Sequence, residues 1–366
     1  MLFFHPNPRM KRRIDVYKDR CEVSVIFQTG KISYYGDILP DVLTVPVKKI
    51  IEYGVCGRLV NLLHFMAVAM KHLLQVRPDL LYVQNLDMLL IACLYKLLLK
   101  ADVRIVYEIA DLHPLIIDPA ITKKRKLLRK TLIITEKALI KSVDKLVVTS
   151  EAFYEHYYKK MIAKSKMIYM PNMPDIKHFE GYKRKTEGTF TIGFIGLIRF
   201  KKQMKMLMDA TRDLDMKVVF AGSEGIEDNG ISIKTLAADY DHVTYYGPYN
   251  YEKDIADLYG MMDVIYAVYD TSQMDIRLAL PNKLYESIYC ELPIVVAENT
   301  LLAKKVQQID NGVVVPDNDV VALRHALIRL RNDINNYREI VAACKRAKEK
   351  ISLSKYNDKL WTQTMT

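Results

Sequence analysis

The run Leu278-Ala279-Leu280-Pro281-Asn282-Lys283-Leu284-Tyr285-Glu286 puts an amide, an ammonium and a carboxylate within little more than one helical turn. Asn282 is a good N-cap residue, and the apolar spacing from Leu284 through Ile288 predicts a helix starting there. A helix N-terminus offers free backbone N–H groups and a positive dipole end to a phosphate, and Lys283 adds a mobile cation beside it. Glu286 lies three residues on, along the same face, where a carboxylate can accept two ribose hydroxyls in charge-assisted hydrogen bonds. A capping arrangement with a solvated lysine and glutamate satisfies the same spacing. A second run, Gly193-Phe194-Ile195-Gly196-Leu197-Ile198-Arg199-Phe200-Lys201-Lys202, ends a β-type segment in glycine and cations. Glycine lets backbone approach a ligand closely. Arg199 with Lys201 or Lys202 suits a diphosphate that gains charge as it leaves. The run is not a G-x-G-x-x-G fingerprint, and a solvated basic loop is its other reading.

Both runs need a scaffold of alternating strands and helices. Met1–Phe4, Glu22–Phe27, Leu80–Val83, Arg104–Glu108, Lys145–Thr149 and Met167–Met170 read as strands, with helical patterns at Val60–Gln75, Leu89–Leu99 and Thr122–Ser142. Pro171-Asn172-Met173-Pro174, then Gly181–Gly188, reads as a linker. The alternation restarts with strands at Thr191–Ile195, Lys217–Phe220, His242–Tyr246, Val264–Val268, Ile294–Val296 and Gly312–Val315. The expected class is α/β, with two doubly wound parallel-sheet domains facing a cleft that takes ligands at the strands' carboxyl ends. At 366 residues, two cores are the expectation.

The five cysteines are odd in number and never form a C-x-x-C pair, which points away from a disulfide framework or a zinc site and toward a reducing compartment. The opening Met1–Pro6 is too short and too soon broken by proline for a signal peptide. The most apolar stretch, Leu80–Leu99, carries Asn85, Asp87 and Lys96 and reads as a buried strand and helix, so no spanning segment is expected. Residues 1–180 hold 29 basic and 18 acidic residues, whereas residues 181–366 hold 25 of each. The whole excess of +11 therefore sits in the first half, as for a domain that faces a polyanion or an anionic membrane.

Taken in order, these pieces resemble the family-4 glycosyltransferases, particularly bacterial members acting in surface-polysaccharide assembly, over nearly the whole chain. Pro8-Arg9-Met10-Lys11-Arg12 and Val106-Tyr107-Glu108-Ile109-Ala110-Asp111-Leu112-His113-Pro114 are similar to that family's first-domain elements, as are Val143–Glu151 and Met170-Pro171-Asn172. Phe220–Gly225, Tyr246-Gly247-Pro248-Tyr249 and Met262-Asp263-Val264 resemble its nucleotide-site strand ends. The most specific match is Leu280–Ile288 followed by Glu291-Leu292-Pro293-Ile294-Val295-Val296.

The resemblance implies a GT-B fold. It implies a nucleotide-sugar-binding second domain over 179–344, an acceptor-side first domain over 1–178, and a segment 345–366 that packs back on the first domain. It implies transfer of a sugar from a nucleotide-diphosphate donor to a lipid-linked glycan, with retention of anomeric configuration and without a metal or other cofactor. Glu286 would bind the ribose. Arg199, Lys202 and Lys283, with Asn282 and Gly196, would serve the diphosphate, and the Gly222 and Tyr249 loops the base. Asp111 would sit near the reacting centre. Three departures stand out: Leu278 occupies the place of the family's first motif glutamate, Ala110 that of a histidine, and His5-Pro6-Asn7-Pro8 that of paired glycines. His113 is the one histidine placed to act as a base, and a structural role suits it equally. A non-catalytic GT-B partner and a nucleotide-sugar epimerase are the alternatives.

Lys123-Lys124-Arg125-Lys126-Leu127-Leu128-Arg129-Lys130 opens a helix with cations around an apolar side. Basic amphipathic helices lie on anionic membranes. The expectation is a cytoplasmic protein held peripherally on the inner face of the cell membrane, with no nucleic-acid partner.

Overall fold

The computed structural model describes residues 1–2, 6–29, 42–51, 55–117, 122–185, 187–225 and 232–365. The chain divides into two compact units, Met1–Pro171 with Ser354–Thr366, and Asn172–Leu353. The division precedes the expected 178/179 boundary. The returning segment starts at Ser354 rather than 345, because one uninterrupted helix, Ile334–Lys350, belongs to the second unit.

In the first unit the elements run α1 (Pro8–Lys18), β1 (Ser24–Thr29), β2 (Leu43–Lys48), α2 (Val55–Val76), β3 (Leu80–Gln84), α3 (Asn85–Leu98), β4 (Arg104–Ile109), α4 (Pro114–Ile117), α5 (Lys123–Leu139), β5 (Lys145–Val148), α6 (Glu151–His156) and β6 (Met167–Tyr169). Asn7 caps α1 by accepting from the Met10 amide at 3.0 Å, and Pro8 takes the first helical position, where no N–H is needed. β3 to β6 form a parallel sheet, and β1 pairs with β2 in parallel. Leu2 pairs with Phe27 and the Met1 amino group donates to the Tyr82 carbonyl at 2.7 Å, so the first residues lie between β1 and β3. Phe3 and Phe4 of the expected first strand, and His5, lie outside the described residues. β2 was not expected. It is a mostly exposed strand with Pro46 inside it, a residue sheets tolerate at their edges.

α1 lays Met10, Ile14 and Tyr17 on the sheet, and its Arg13 reaches the buried Glu108 of β4 at 3.4 Å. The last helix, α15 (Leu353–Met365), packs there too. Leu360 is fully buried beside Tyr17, whose hydroxyl lies 2.8 Å from that of Thr364.

The twenty residues Gly57–Val76 within α2 are long and apolar enough to cross a membrane by length and composition. They are nevertheless tied into the fold. Phe65, Ala69 and Leu73 form a buried stripe, Asn61 accepts from the Ile50 amide at 2.7 Å, and His72 lies 3.1 Å from the Ser24 hydroxyl.

The second unit runs β7 (Phe190–Ile195), α7 (Lys201–Thr211), β8 (Met216–Ala221), α8 (Ile233–Ala237), β9 (Val243–Gly247), α9 (Tyr251–Gly260), β10 (Val264–Ala267), α10 (Met274–Leu278), α11 (Asn282–Tyr289), β11 (Ile294–Ala297), α12 (Leu301–Ile309), β12 (Gly312–Val315), α13 (Val320–Asn332) and α14 (Ile334–Lys350). Its six parallel strands stand in the order β12-β11-β10-β7-β8-β9. β7, β10 and β11 carry almost uninterrupted buried residues, as a sheet covered on both faces requires. From β7 the chain winds outward through β8 and β9, then returns to β10 on the other side of β7. That reversal leaves a crevice outside the carboxyl ends of β7 and β10, where doubly wound sheets bind ligands.

Candidate functional site

The crevice between β7 and β10 holds a cavity of about 240 Å³ lined by Arg199, Tyr269, Pro281, Lys283, Ala297 and Thr300, among others. Two glycines shape its rim. Gly196 ends β7 with φ +140, and a Cβ there would sit 2.9 Å from the Lys283 ammonium. Gly222 ends β8 with φ +143, and its Cβ would lie 1.9 Å from the Gly196 carbonyl oxygen. Only glycine fits both positions without moving the rim. The Gly196 amide donates to Ala221 and the Gly222 amide to Gly247, each at 2.8 Å, which fixes the three strand ends together.

Lys283 is 8% exposed, and its ammonium lies 4.3 Å from the Phe194 ring centroid and 5.7 Å from that of Tyr269. Among the described residues it has no carboxylate partner, and neither has Arg199, whose guanidinium lies over the Phe200 ring at 5.3 Å. Aromatic faces attract a cation without neutralising it. Two cations therefore line one small cavity, and a buried positive charge of this kind asks for an anion. Tyr269 and Thr300 were not singled out from the sequence. Their signal was position, just past the ends of β10 and β11. The loop after β10 is held by Asp317, which accepts from the Thr271 amide at 2.7 Å and hydroxyl at 3.0 Å.

The helix that carries Lys283 starts differently from the expectation. Pro281, not Asn282, is the N-cap residue of α11, and no side chain caps the helix. Asn282 is already helical, and its Oδ1 is buried with no hydrogen-bond partner among the described residues. Proline presets extended geometry before the first turn, which displaces asparagine from the cap. The first N–H groups of α11 are consequently left without side-chain competition.

Glu286 faces another group. It is 3% exposed, its Oε1 accepts from the Tyr251 hydroxyl at 2.8 Å, and its Oε2 accepts from the Tyr259 hydroxyl at 2.6 Å. Tyr249 is close enough that burial first, then the Glu286 charge, pushes its phenol well up from its ordinary value. Tyr249 and Glu286 thus come together with two tyrosines that were not foreseen. Glu286 is not among the residues that line the 240 Å³ cavity. Lys202 is exposed. Its charge acts on Asp270, whose carboxyl stays below its ordinary value. Burial there is outweighed by hydrogen bonds from Ser272 and Gln273 together with Lys202.

The remaining expected residues belong to the first unit. Asp111 is exposed, two residues past β4, in a turn whose Ala110 carbonyl accepts from the Thr149 hydroxyl at 2.7 Å. His113 is exposed, and its Nδ1 accepts from the Leu115 amide at 3.1 Å. Partial desolvation of the ring, and then the Arg58 charge, lower its pKa. Lys123, Lys124, Arg125 and Lys126 are all exposed in the first turn of α5, capped by Thr122.

The family described as Glycosyl transferases group 1 matches residues 189–333, which hold the cavity, both glycines and α11. Succinoglycan biosynthesis protein ExoL of Rhizobium meliloti (strain 1021) is 24% identical over 265 residues, covering 69% of this chain. The match spans 64% of that relative's own length, under two thirds of it. Among solved structures, sucrose-phosphate synthase from Thermosynechococcus elongatus superposes with a TM-score of 0.72 at 14% identity, covering 96% of this chain and 90% of its own. HepE from Anabaena, in complex with UDP and glucose, also gives 0.72, at 13% identity over 100% of this chain and 99% of its own. The two parallel-sheet units give the chain the GT-B fold of these solved structures, and the group 1 glycosyltransferase match falls on its second unit.

Proposed function

We propose that the chain transfers a sugar from a nucleotide-diphosphate donor to a glycan acceptor in polysaccharide biosynthesis. The observation that carries this reading is the pair Arg199 and Lys283, two cations in one cavity at the switch point without carboxylate partners among the described residues. Departure of a nucleoside diphosphate concentrates negative charge on the β-phosphate oxygens. Cations already fixed in place stabilise that charge without reorganising. Lys283 is fixed by Phe194 and Tyr269, and Arg199 by Phe200. The free N–H groups of α11 add donors on the same side. Gly196 and Gly222 keep the rim bare of side chains where a phosphate must approach backbone. Glu286 would take the ribose hydroxyls once the Tyr251 hydroxyl yields its place, with Tyr249 beside the base. Asp111 would act near the reacting sugar.

The finer reading is retention of anomeric configuration, with departure and attack on one sugar face and no protein nucleophile. Leu278 fits it, since an apolar residue there removes a carboxylate and leaves the diphosphate cations in place. The acceptor is read as lipid-linked. Lys123–Lys126 then hold a cytoplasmic enzyme peripherally on an anionic membrane, and the concentration of the whole net charge in residues 1–180 supports this. Leu278 and Ala110 also favour a second reading, a GT-B module that binds nucleotide without turnover.

Incubation with a panel of nucleotide sugars, scoring released nucleoside diphosphate, separates the two. Arg199→Ala and Lys283→Ala should each lower turnover by about 10²–10³. Asp111→Asn should cost less, and His113→Ala least. Nucleotide binding without release from any donor would favour the second reading. An inverted product by NMR together with an inactive His113→Ala would overturn the retaining mechanism.

A further inference from the structure

The side chains around the cavity between β7 and β10 offer hydrogen-bond donors and apolar surface, and very little that accepts. Arg199 and Lys283 can only donate. No carboxylate, amide or imidazole stands among the described residues that line it. Its two side-chain hydroxyls belong to Tyr269 and Thr300. Thr300 is committed to capping α12: its hydroxyl donates to the Ala297 carbonyl at 2.8 Å and accepts from the Ala303 amide at 2.9 Å. That leaves the Tyr269 oxygen as the lining's main side-chain acceptor.

The rest of the lining is apolar. Leu197, Ile276, Ala279, Ala297 and Leu302 come from the ends of β7 and β11, from α10 and the turn after it, and from the start of α12. Leu197 is 55% exposed, and Ile276 and Ala279 are half-buried, so part of this wall still faces outward. The volume, about 240 Å³, is below the roughly 300–1,000 Å³ of pockets that enclose a whole small molecule. It suits the diphosphate and one side of the sugar.

Diphosphate oxygens accept and do not donate, so they match the two cations. A sugar hydroxyl does both. Against this wall its proton would find no side-chain acceptor, and a buried donor left unpaired is the costly case. A methyl group needs no partner and gains from leaving water. We propose that the donor sugar carries a methyl group where a plain hexose carries a hydroxyl, and that this methyl lies against Ile276, Ala279 and Leu302. A 6-deoxyhexose and an N-acetylated amino sugar are the two sources of that group. The inference rests on the reading of the chain as a nucleotide-sugar transferase and names the class of its donor.

The test is calorimetric titration of the full chain, first with UDP, dTDP and GDP alone. On whichever nucleotide binds, glucose is then compared with 6-deoxyglucose and with N-acetylglucosamine, and galactose with its two counterparts. The methyl-bearing member of at least one pair should bind about tenfold or more tighter than the plain hexose. Whether the deoxy or the acetyl member gains identifies the source of the methyl. Ile276→Asn puts an amide acceptor on the wall and should bring that ratio back toward one. Ala279→Ser should shift it in the same direction and serves as the second variant if Ile276→Asn melts early. Nucleoside diphosphate binding with plain hexoses equal or tighter in every pair overturns the proposal and leaves the transferase reading standing. So does a methyl preference that both folded variants keep in full, because the wall would then not be its cause. Failure of all three nucleoside diphosphates to bind would sink the transferase reading and this proposal with it.

Discussion

Replacing Glu286 by glutamine separates two roles assigned to one carboxylate. In the fold it joins α11 to α9 through the Tyr251 and Tyr259 hydroxyls, at 2.8 Å and 2.6 Å. Glutamine keeps the volume, removes the charge, and turns one acceptor into an NH₂ donor facing a phenol. A hydrogen bond to a charged group contributes about 1.5–3 kcal/mol, so the substitution should cost about 2 kcal/mol of stability. At about 2–4 °C per kcal/mol for a unit of this size, the melting temperature should fall by about 4–8 °C. If the same carboxylate also takes ribose hydroxyls, affinity for a nucleoside diphosphate should drop by roughly 10- to 100-fold. Tyr259→Phe is the control. Tyr259 is fully buried, so its loss should lower the melting temperature and leave nucleotide affinity near wild type. Thermal melts and calorimetric titration with a panel of nucleoside diphosphates read both effects. An early-melting Glu286→Gln that binds nucleotide like wild type would make the carboxylate a strut between helices. A variant that melts like wild type would refute the stabilising role of the tyrosine bonds.

Three further outcomes are expected. Gly222→Ala should destabilise by about 3 kcal/mol or more and weaken nucleotide binding, because positive φ and the Gly196 carbonyl exclude a Cβ; a wild-type melt would show that the rim relaxes freely. Glu136 accepts from Tyr107, Tyr157 and Tyr158 at 3.1, 2.9 and 2.8 Å, so Glu136→Leu should cost about 3–5 kcal/mol in denaturant unfolding, and a loss below about 1 kcal/mol would contradict the assigned network. Burial holds His242 below its ordinary pKa, outweighing a hydrogen bond that favours the charged ring. The unfolded chain then binds the extra proton, so this histidine makes stability fall as pH drops below about 6.5, and His242→Gln should flatten that decline in melts between about pH 7 and 5.

Much of the scaffold was legible because its signals are local. All six strands of the second unit were visible as short β-branched or aromatic runs, and the charge asymmetry needed only counting. β2 escaped because an exposed strand with a proline lacks the apolar alternation that marks a strand. The N-cap of α11 was misplaced by one residue because asparagine and proline compete for the same turn.

By itself, then, the sequence determined the α/β class, the alternation, the two cations and the glycines at strand ends. Tertiary structure decided what those residues do to one another. The strand order that opens a crevice between β7 and β10 depends on which way the chain turns after β9, which no local pattern encodes. Lys283 is caged by rings from β7 and the loop after β10, and Glu286 is bound by tyrosines 27 and 35 residues away in the chain. Exposure of Leu63 and Leu97 is equally a tertiary property. A leucine's place in a helical period tells which neighbours share its face, and only packing tells whether that face meets the sheet or the surroundings.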